Sequence, residues 1–165
     1  GNHDYHTRDA LAYFDYFGAR AGARGLGHYS FDLGAWHLIA LNSERDTEAD
    51  GRQLAWLRAD LEANTRPCVL AYWHKPRFTA GQYRDLSAGR EFWTALAKAG
   101  ADVVLNGHDH NYQRYGPLDA NGTPSPTGMR QFVVGTGGAS IAPRSKYASS
   151  FGLLASVKSI TLTPP

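Results

Sequence analysis

Residues 68–76 read CVLAYWHKP: six residues without a charge, then His74, with Pro76 two places on to stop a strand from continuing. So short and uniformly apolar a run suits a strand covered on both faces. The pattern returns in ADVVLNGHDHNYQRYGPLD, residues 101–119, where 102–106 make a second short strand and Gly107 leads into His108 and His110. Between the two, residues 90–99 (REFWTALAKA) space their apolar side chains as a helix and close at Gly100. Strand, helix, strand in this order makes an α/β unit with parallel strands, and ligands sit in the crevice beyond the carboxyl ends of such strands. His74 and His108 are therefore expected on one edge of one sheet.

Working outward, 28–33 (HYSFDL) and 36–42 (WHLIALN) read as a β-hairpin turning at Gly34-Ala35. Leu54, Leu57 and Leu61 fall at helical spacing between Asp50 and Asn64. FTAGQYRDLSAG and the stretch from Pro117 to Gly128 read as loops, 131–135 (QFVVG) as another strand, and 151–163 as one or two more. No repeat and no interdomain linker interrupts this order. The expected class is α/β, with parallel strands in the middle and antiparallel ones towards the end.

With 165 residues, 42% hydrophobic and 19% charged, the chain has the size and composition of one globular domain. A net charge of +2 without a Lys/Arg run gives no electrostatic signature for nucleic acid. No apolar stretch nears the ~20 residues that span a bilayer, and the opening GNHDYHTRDA is too polar for a signal peptide. Cys68 is alone within an apolar run, so no disulfide framework exists and a small packing role is expected of it. Oligomeric state and compartment stay open.

The seven histidines divide by context. His28 and His37 lie in the hairpin and are expected to be structural or exposed; His6 sits in a polar stretch. His3, His74, His108 and His110 each stand beside glycine or at a strand-to-loop junction, where the backbone turns sharply and can approach a ligand. His-x-His alone is weak. Joined by a third imidazole on a neighbouring strand end and the amide of Asn2, it becomes a mixed N/O donor set without thiolates, the chemistry of a catalytic rather than a structural metal.

GNHD (1–4), the histidine of YWHKP (72–76) and GHDH (107–110) resemble, in order, the last three motifs of the calcineurin-like metallophosphoesterases. NGHDHNYQRY and FVVGTGG (132–138) resemble the purple-acid-phosphatase-like branch, and the likeness runs from Gly1 to about Phe151. This resemblance implies part of a four-layer α/β/β/α sandwich with mixed sheets, and hydrolysis of phosphomonoesters or phosphodiesters at two metal ions (Fe, Zn, Mn or similar). It implies that Asn2, His74 and His108 bind one metal and His110 the other. His3 takes the role of general acid, Asp4 orients its neighbours, and Tyr112 and Arg114 brace the loop or simply pack. A secreted or periplasmic location is compatible with it.

The chain also departs from the family pattern. An upstream Asp-x-His and a Gly-Asp pair, which supply the bridging carboxylate, are not found. Asp4-Tyr5-His6 spells D-x-H but overlaps GNHD and has no Gly-Asp after it. The expectation is therefore the C-terminal portion of a single catalytic domain, with the N-terminal strands missing. Where bacterial relatives often carry a substrate-contacting histidine, Tyr83 is the nearest match. Two readings stay open at this point: a dinuclear phosphoesterase in the complete protein, or an incomplete or degenerate chain that binds a single metal or phosphate weakly.

Overall fold

The computed structural model describes residues 1–83, 87–138 and 140. Six strands form one mixed sheet: β1 (Tyr29–Leu33), β2 (Trp36–Ala40), β3 (Cys68–Trp73), β4 (Val103–Asn106), β5 (Tyr112–Leu118) and β6 (Met129–Val134), in the order β1-β2-β3-β4-β6-β5. The inner pairs β2/β3, β3/β4 and β4/β6 are parallel, while β1/β2 and β5/β6 are antiparallel. The strands expected at 151–163 lie outside the described residues.

Among the described residues three α-helices accompany the sheet: α1 (Leu11–Phe17), α2 (Arg52–Ala63) and α3 (Arg90–Lys98). Alternation in β3 and β4 sends Val69, Ala71, Trp73 and Val104 to one face, where α2 and α3 cover them with Leu54, Leu57, Phe92, Trp93 and Leu96. Each fully buried side chain of this size contributes about 1.5–3 kcal/mol, so this layer carries most of the stability. Helix α3 ends in a Schellman motif: Gly100 (φ 75°) donates to the Ala97 carbonyl (3.2 Å) and Ala101 to that of Leu96 (3.0 Å). The chain is thereby turned straight into β4. Asp102 then accepts from the Val69 amide at 2.8 Å, locking β4 beside β3.

One sheet and its helical layer are half of the expected four-layer sandwich; no second sheet is among the described residues. The opposite face bears Phe31, Leu33, Trp36 and Val134, all exposed. The N-terminal segment packs its own small cluster of Ala10, Phe14 and Ala21, with Tyr5 and Tyr13 against it. Tyr5 accepts a hydrogen bond from Asn42 at 2.7 Å, which ties that segment to the end of β2.

Two elements differ from the sequence reading. Strand β5 was not expected and runs into Pro117 and Leu118, which were read as loop; its inward positions Gln113 and Tyr115 are polar-tipped and mask the alternation. Helix α1 was not expected either: LAYFDYF is apolar around most of its circumference and starts from a left-handed Ala10 without a capping side chain.

Candidate metal centre

The register Trp73↔Asn106, continued by the Gly107 amide donating to the His74 carbonyl (3.0 Å), sets His74 and His108 on adjacent parallel strand ends. The turn after β4 is tight: Asp109 N–H donates to Gly107 (2.8 Å) and Asn111 N–H to Asp109 (2.7 Å). His108 sits at φ 69°, a left-handed conformation costing a non-glycine residue about 1–3 kcal/mol, and strain of this kind collects at functional sites. It aims the imidazole back over β3, and His108 Nδ1 lies 3.2 Å from His74 Nε2. Asn2 reaches the same atom from the N-terminal segment, its Oδ1 2.8 Å from His74 Nε2. A Cβ on Gly1 would meet the His74 ring at 2.7 Å, so only glycine lets this segment so close.

Burial, the Gly1 amino group and His108 push His74 down to about 4, and burial lowers His108 as well. Both imidazoles are thus neutral near pH 7, the form that ligates metal. Lys75, next to His74, is held away by Glu44 (2.6 Å), and its backbone amide donates to Ser43 (3.1 Å). A cleft of about 500 Å³ opens beside His74 and Gly107, lined by Tyr5, Tyr13, Tyr29 and Tyr72 and by the carboxylates Asp4 and Glu44.

The other expected site residues are placed less uniformly. His110 is half-buried and near enough to His108 to lower its affinity for protons. His3 is exposed and stacks on His6 (centroids 4.9 Å apart) rather than on His74. Asp4 pairs with the Gly1 amino group. Tyr83 lies against His108, ring centroids 4.2 Å apart at 34°. Tyr112 opens β5 opposite Val134, and Arg114 reaches over the ring of its cross-strand partner Phe132 (6.0 Å). Glu44, Gln113 and the buried Asp109 shape the site without having been singled out; only the position of Asp109 inside GHDH hinted at it.

Donor atoms bound at ~2.1 Å to one ion, roughly 90–110° apart, stand about 3.0–3.4 Å from each other. The Asn2–His74 and His74–His108 separations, 2.8 and 3.2 Å, are close to that spacing, and the donor types suit a metal. Among the described residues no group of three or more His, Cys, Asp or Glu is gathered tightly enough to hold a metal without the amide.

A mixed sheet presenting imidazoles and an amide oxygen at the carboxyl edge of parallel strands is an α/β protein with its site in the usual crevice. The chain belongs to the calcineurin-like phosphoesterase family, whose sequence profile matches residues 1–112. It is 31% identical over 155 residues to purple acid phosphatase 21 of Arabidopsis thaliana, covering 84% of this chain and 35% of that one. To purple acid phosphatase 15 of the same plant it is 28% identical, covering 84% and 28%. Probable inactive purple acid phosphatase 9, also from Arabidopsis thaliana, is 31% identical over 102 residues, 57% of this chain and 16% of that one. The chain thus spans about a third or less of the length of these relatives. In fold it is similar to purple acid phosphatase PPD1 from yellow lupin seeds (TM-score 0.69, 21% identity, 76% of this chain and 25% of that one).

Among the described residues no helix is long and apolar enough to cross a membrane.

Proposed function

We propose that the protein hydrolyses phosphoesters, monoesters or diesters, with metal held at the end of β3 and β4. The observation that carries this reading is the run Asn2 Oδ1, His74 Nε2, His108 Nδ1, with neighbouring atoms 2.8 and 3.2 Å apart and both rings neutral. These three hold one ion and His110 a second. In this reading residues 1–165 are the C-terminal portion of one catalytic domain, and the carboxylates that complete two ion sites come from chain before Gly1. Bound metal would supply a Lewis acid for the phosphoryl oxygens and a water acidified enough to act as nucleophile.

The chain's own residues do the rest. His74 and His108, uncharged and half-buried, add no negative charge, so the centre stays cationic and draws in an anionic substrate. Hydrolysis adds water across the P–O bond, and the departing alkoxide needs a proton. His3, exposed and beside Asn2 in sequence, supplies it from its ring, with Asp4 orienting its neighbours. Tyr83, Tyr112 and Arg114 border the loop where substrate enters.

The test is hydrolysis of a nitrophenyl phosphate and of a bis-ester by the metal-loaded protein, with and without chelator. Chelation should abolish turnover, and His108→Ala should lower it about 100-fold or more through the lost ligand. Equal turnover in excess chelator would refute the reading. A second reading, weak binding of a single metal or phosphate without catalysis, is favoured by the lack of a tight cluster of three acidic, histidine or cysteine groups among the described residues. One metal per chain with no hydrolysis would establish it instead.

A further inference from the structure

The loop after β3 has no strand to pair with, yet its backbone amides and carbonyls are met one after another by buried side chains. Gln131 accepts from the Phe78 amide (3.3 Å) and donates to the Phe78 carbonyl (2.5 Å). Gln113 accepts from the Ala80 amide at 2.7 Å. Asp109 accepts from the Thr79 hydroxyl and, at 3.0 Å, from the Gln82 amide. Asp109, Gln113 and Gln131 are each 0% exposed. A wholly buried carboxylate is costly to desolvate unless it is hydrogen-bonded, and here its partners are the Gln82 amide and the Thr79 hydroxyl. Gly81 completes the fit, since a Cβ there would meet the Asp109 carboxylate at 2.2 Å, closer than real side chains approach. The very next residue after this grip is Tyr83, whose ring rests on His108 while 42% of the residue stays exposed.

We propose that Asp109 is a positioning residue: by gripping residues 79–82 it carries the Tyr83 ring onto His108 and makes that ring a wall of the substrate site. The half of Tyr83 not covered by His108 is a flat apolar surface beside a metal-binding histidine. It favours phosphoesters whose alcohol is aromatic, through stacking worth a few-fold in affinity. This consequence for substrate rests on the phosphoesterase reading above; the positioning itself does not.

The two are separated by using two measurements on the metal-loaded protein. Nuclear magnetic resonance reports the His108 ring shifts and the exchange of the 80–82 amides, with no need of turnover. Tyr83→Leu, a surface change, removes the ring and defines the uncovered His108 signal. Asp109→Asn keeps the shape but turns one of the two acceptor oxygens into an N–H₂ group, so the Gln82 amide and the Thr79 hydroxyl can no longer both donate to it. It should speed exchange at Gln82 by about tenfold or more and move the His108 signal towards that of Tyr83→Leu. Gly81→Ala, which leaves Asp109 in place but pushes the loop off it, should do the same. KM for phenyl phosphate should rise about 3–10-fold in Asp109→Asn while KM for an alkyl phosphate and both kcat values change less than about twofold. His108 shifts that stay at the wild-type position in folded Asp109→Asn and Gly81→Ala overturn the positioning role, as does a His108 signal indifferent to Tyr83→Leu. Shifts that move as expected in a protein without turnover uphold the positioning and refute the phosphoesterase reading alone.

Discussion

His37 is the group whose titration should be most visible in the stability of this protein. It is 7% exposed, facing the helical layer from β2, with Nδ1 2.8 Å from Asp32 and Nε2 2.9 Å from Asp60 of α2. Two carboxylate oxygens need two N–H donors, and only the imidazolium has both. Burial opposes the charge, but the Asp32 and Asp60 carboxylates outweigh it and raise His37 above the usual imidazole value. Asp60 also accepts from Ser30 (2.6 Å), and Arg66 pairs with the far oxygen of Asp32 (2.9 Å), so the clamp joins β1, β2, α2 and the turn before β3. Asp32 lies in solvent, where screening weakens its pull. The charged hydrogen bond to Asp60 alone is worth about 1.5–3 kcal/mol.

His37→Gln keeps one neutral donor at every pH, so it should cost about 2 kcal/mol at pH 6. A group raised in the folded state contributes fully below its unfolded value of about 6.5 and loses that contribution as pH climbs through the folded value. The gap between wild type and His37→Gln should therefore narrow steadily from about pH 6.5 upward. Urea denaturation at half-unit steps of pH measures it directly. A gap that stays constant, or widens towards alkaline pH, would show that the ring is neutral in the fold and the argument wrong.

His74 should behave with the opposite sign. Its value near 4 means the unfolded chain binds a proton the folded one refuses, so metal-free stability falls as pH drops from about 6.5 towards 4; His74→Phe should flatten that acid limb, and an unchanged limb would contradict the assignment. Gly135→Ala would put a Cβ 1.9 Å from the Asp109 carbonyl, a clash between backbones that neither can relieve by rotating, and should cost about 3 kcal/mol in thermal unfolding along with metal retention. The face bearing Phe31, Leu33, Trp36 and Val134 should make residues 1–165 expressed alone self-associate in sedimentation, with Leu33→Lys plus Val134→Lys restoring monomer; a wild-type monomer at high concentration would refute this. His28 lies against Trp56 (ring centroids 4.6 Å apart) before β1, two strands across from β3, and His28→Ala should leave metal content unchanged in elemental analysis.

The parallel strands, both amphipathic helices and the edge shared by His74 and His108 were legible because each rests on local pattern: a short apolar run, a helical repeat, a proline or glycine stop. The convergence of Asn2 on His74 was not derivable from spacing; it came from the family resemblance, and the contact joins residues 72 positions apart. Strand β5 stayed hidden because its inward residues are chosen for hydrogen bonding rather than apolarity. Gln113 looks like a surface residue in the sequence, yet it is 0% exposed and bonds Ala80, Tyr115 and Asn111. His37 was expected to be an unremarkable strand residue, and it is structural, but its two carboxylate partners lie five and twenty-three positions away and no periodicity links them. Polar groups that find one another across the fold leave no period to read.

The distance between His74 and His108 is set by a ladder pairing, Trp73 with Asn106, and by nothing in the helix between them. In a pleated strand a one-residue deletion within β3 or β4 would turn every following side chain to the other face and slide it by about 3.3 Å. A whole turn added to α3 would leave both histidines where they are. Tolerance to insertion and deletion should therefore be uneven along this chain: greatest on the exposed turns of the crossover outside the 78–82 clamp, almost nil in the few residues leading to each histidine. A library of random single-codon deletions, scored for metal retention, would draw that boundary residue by residue.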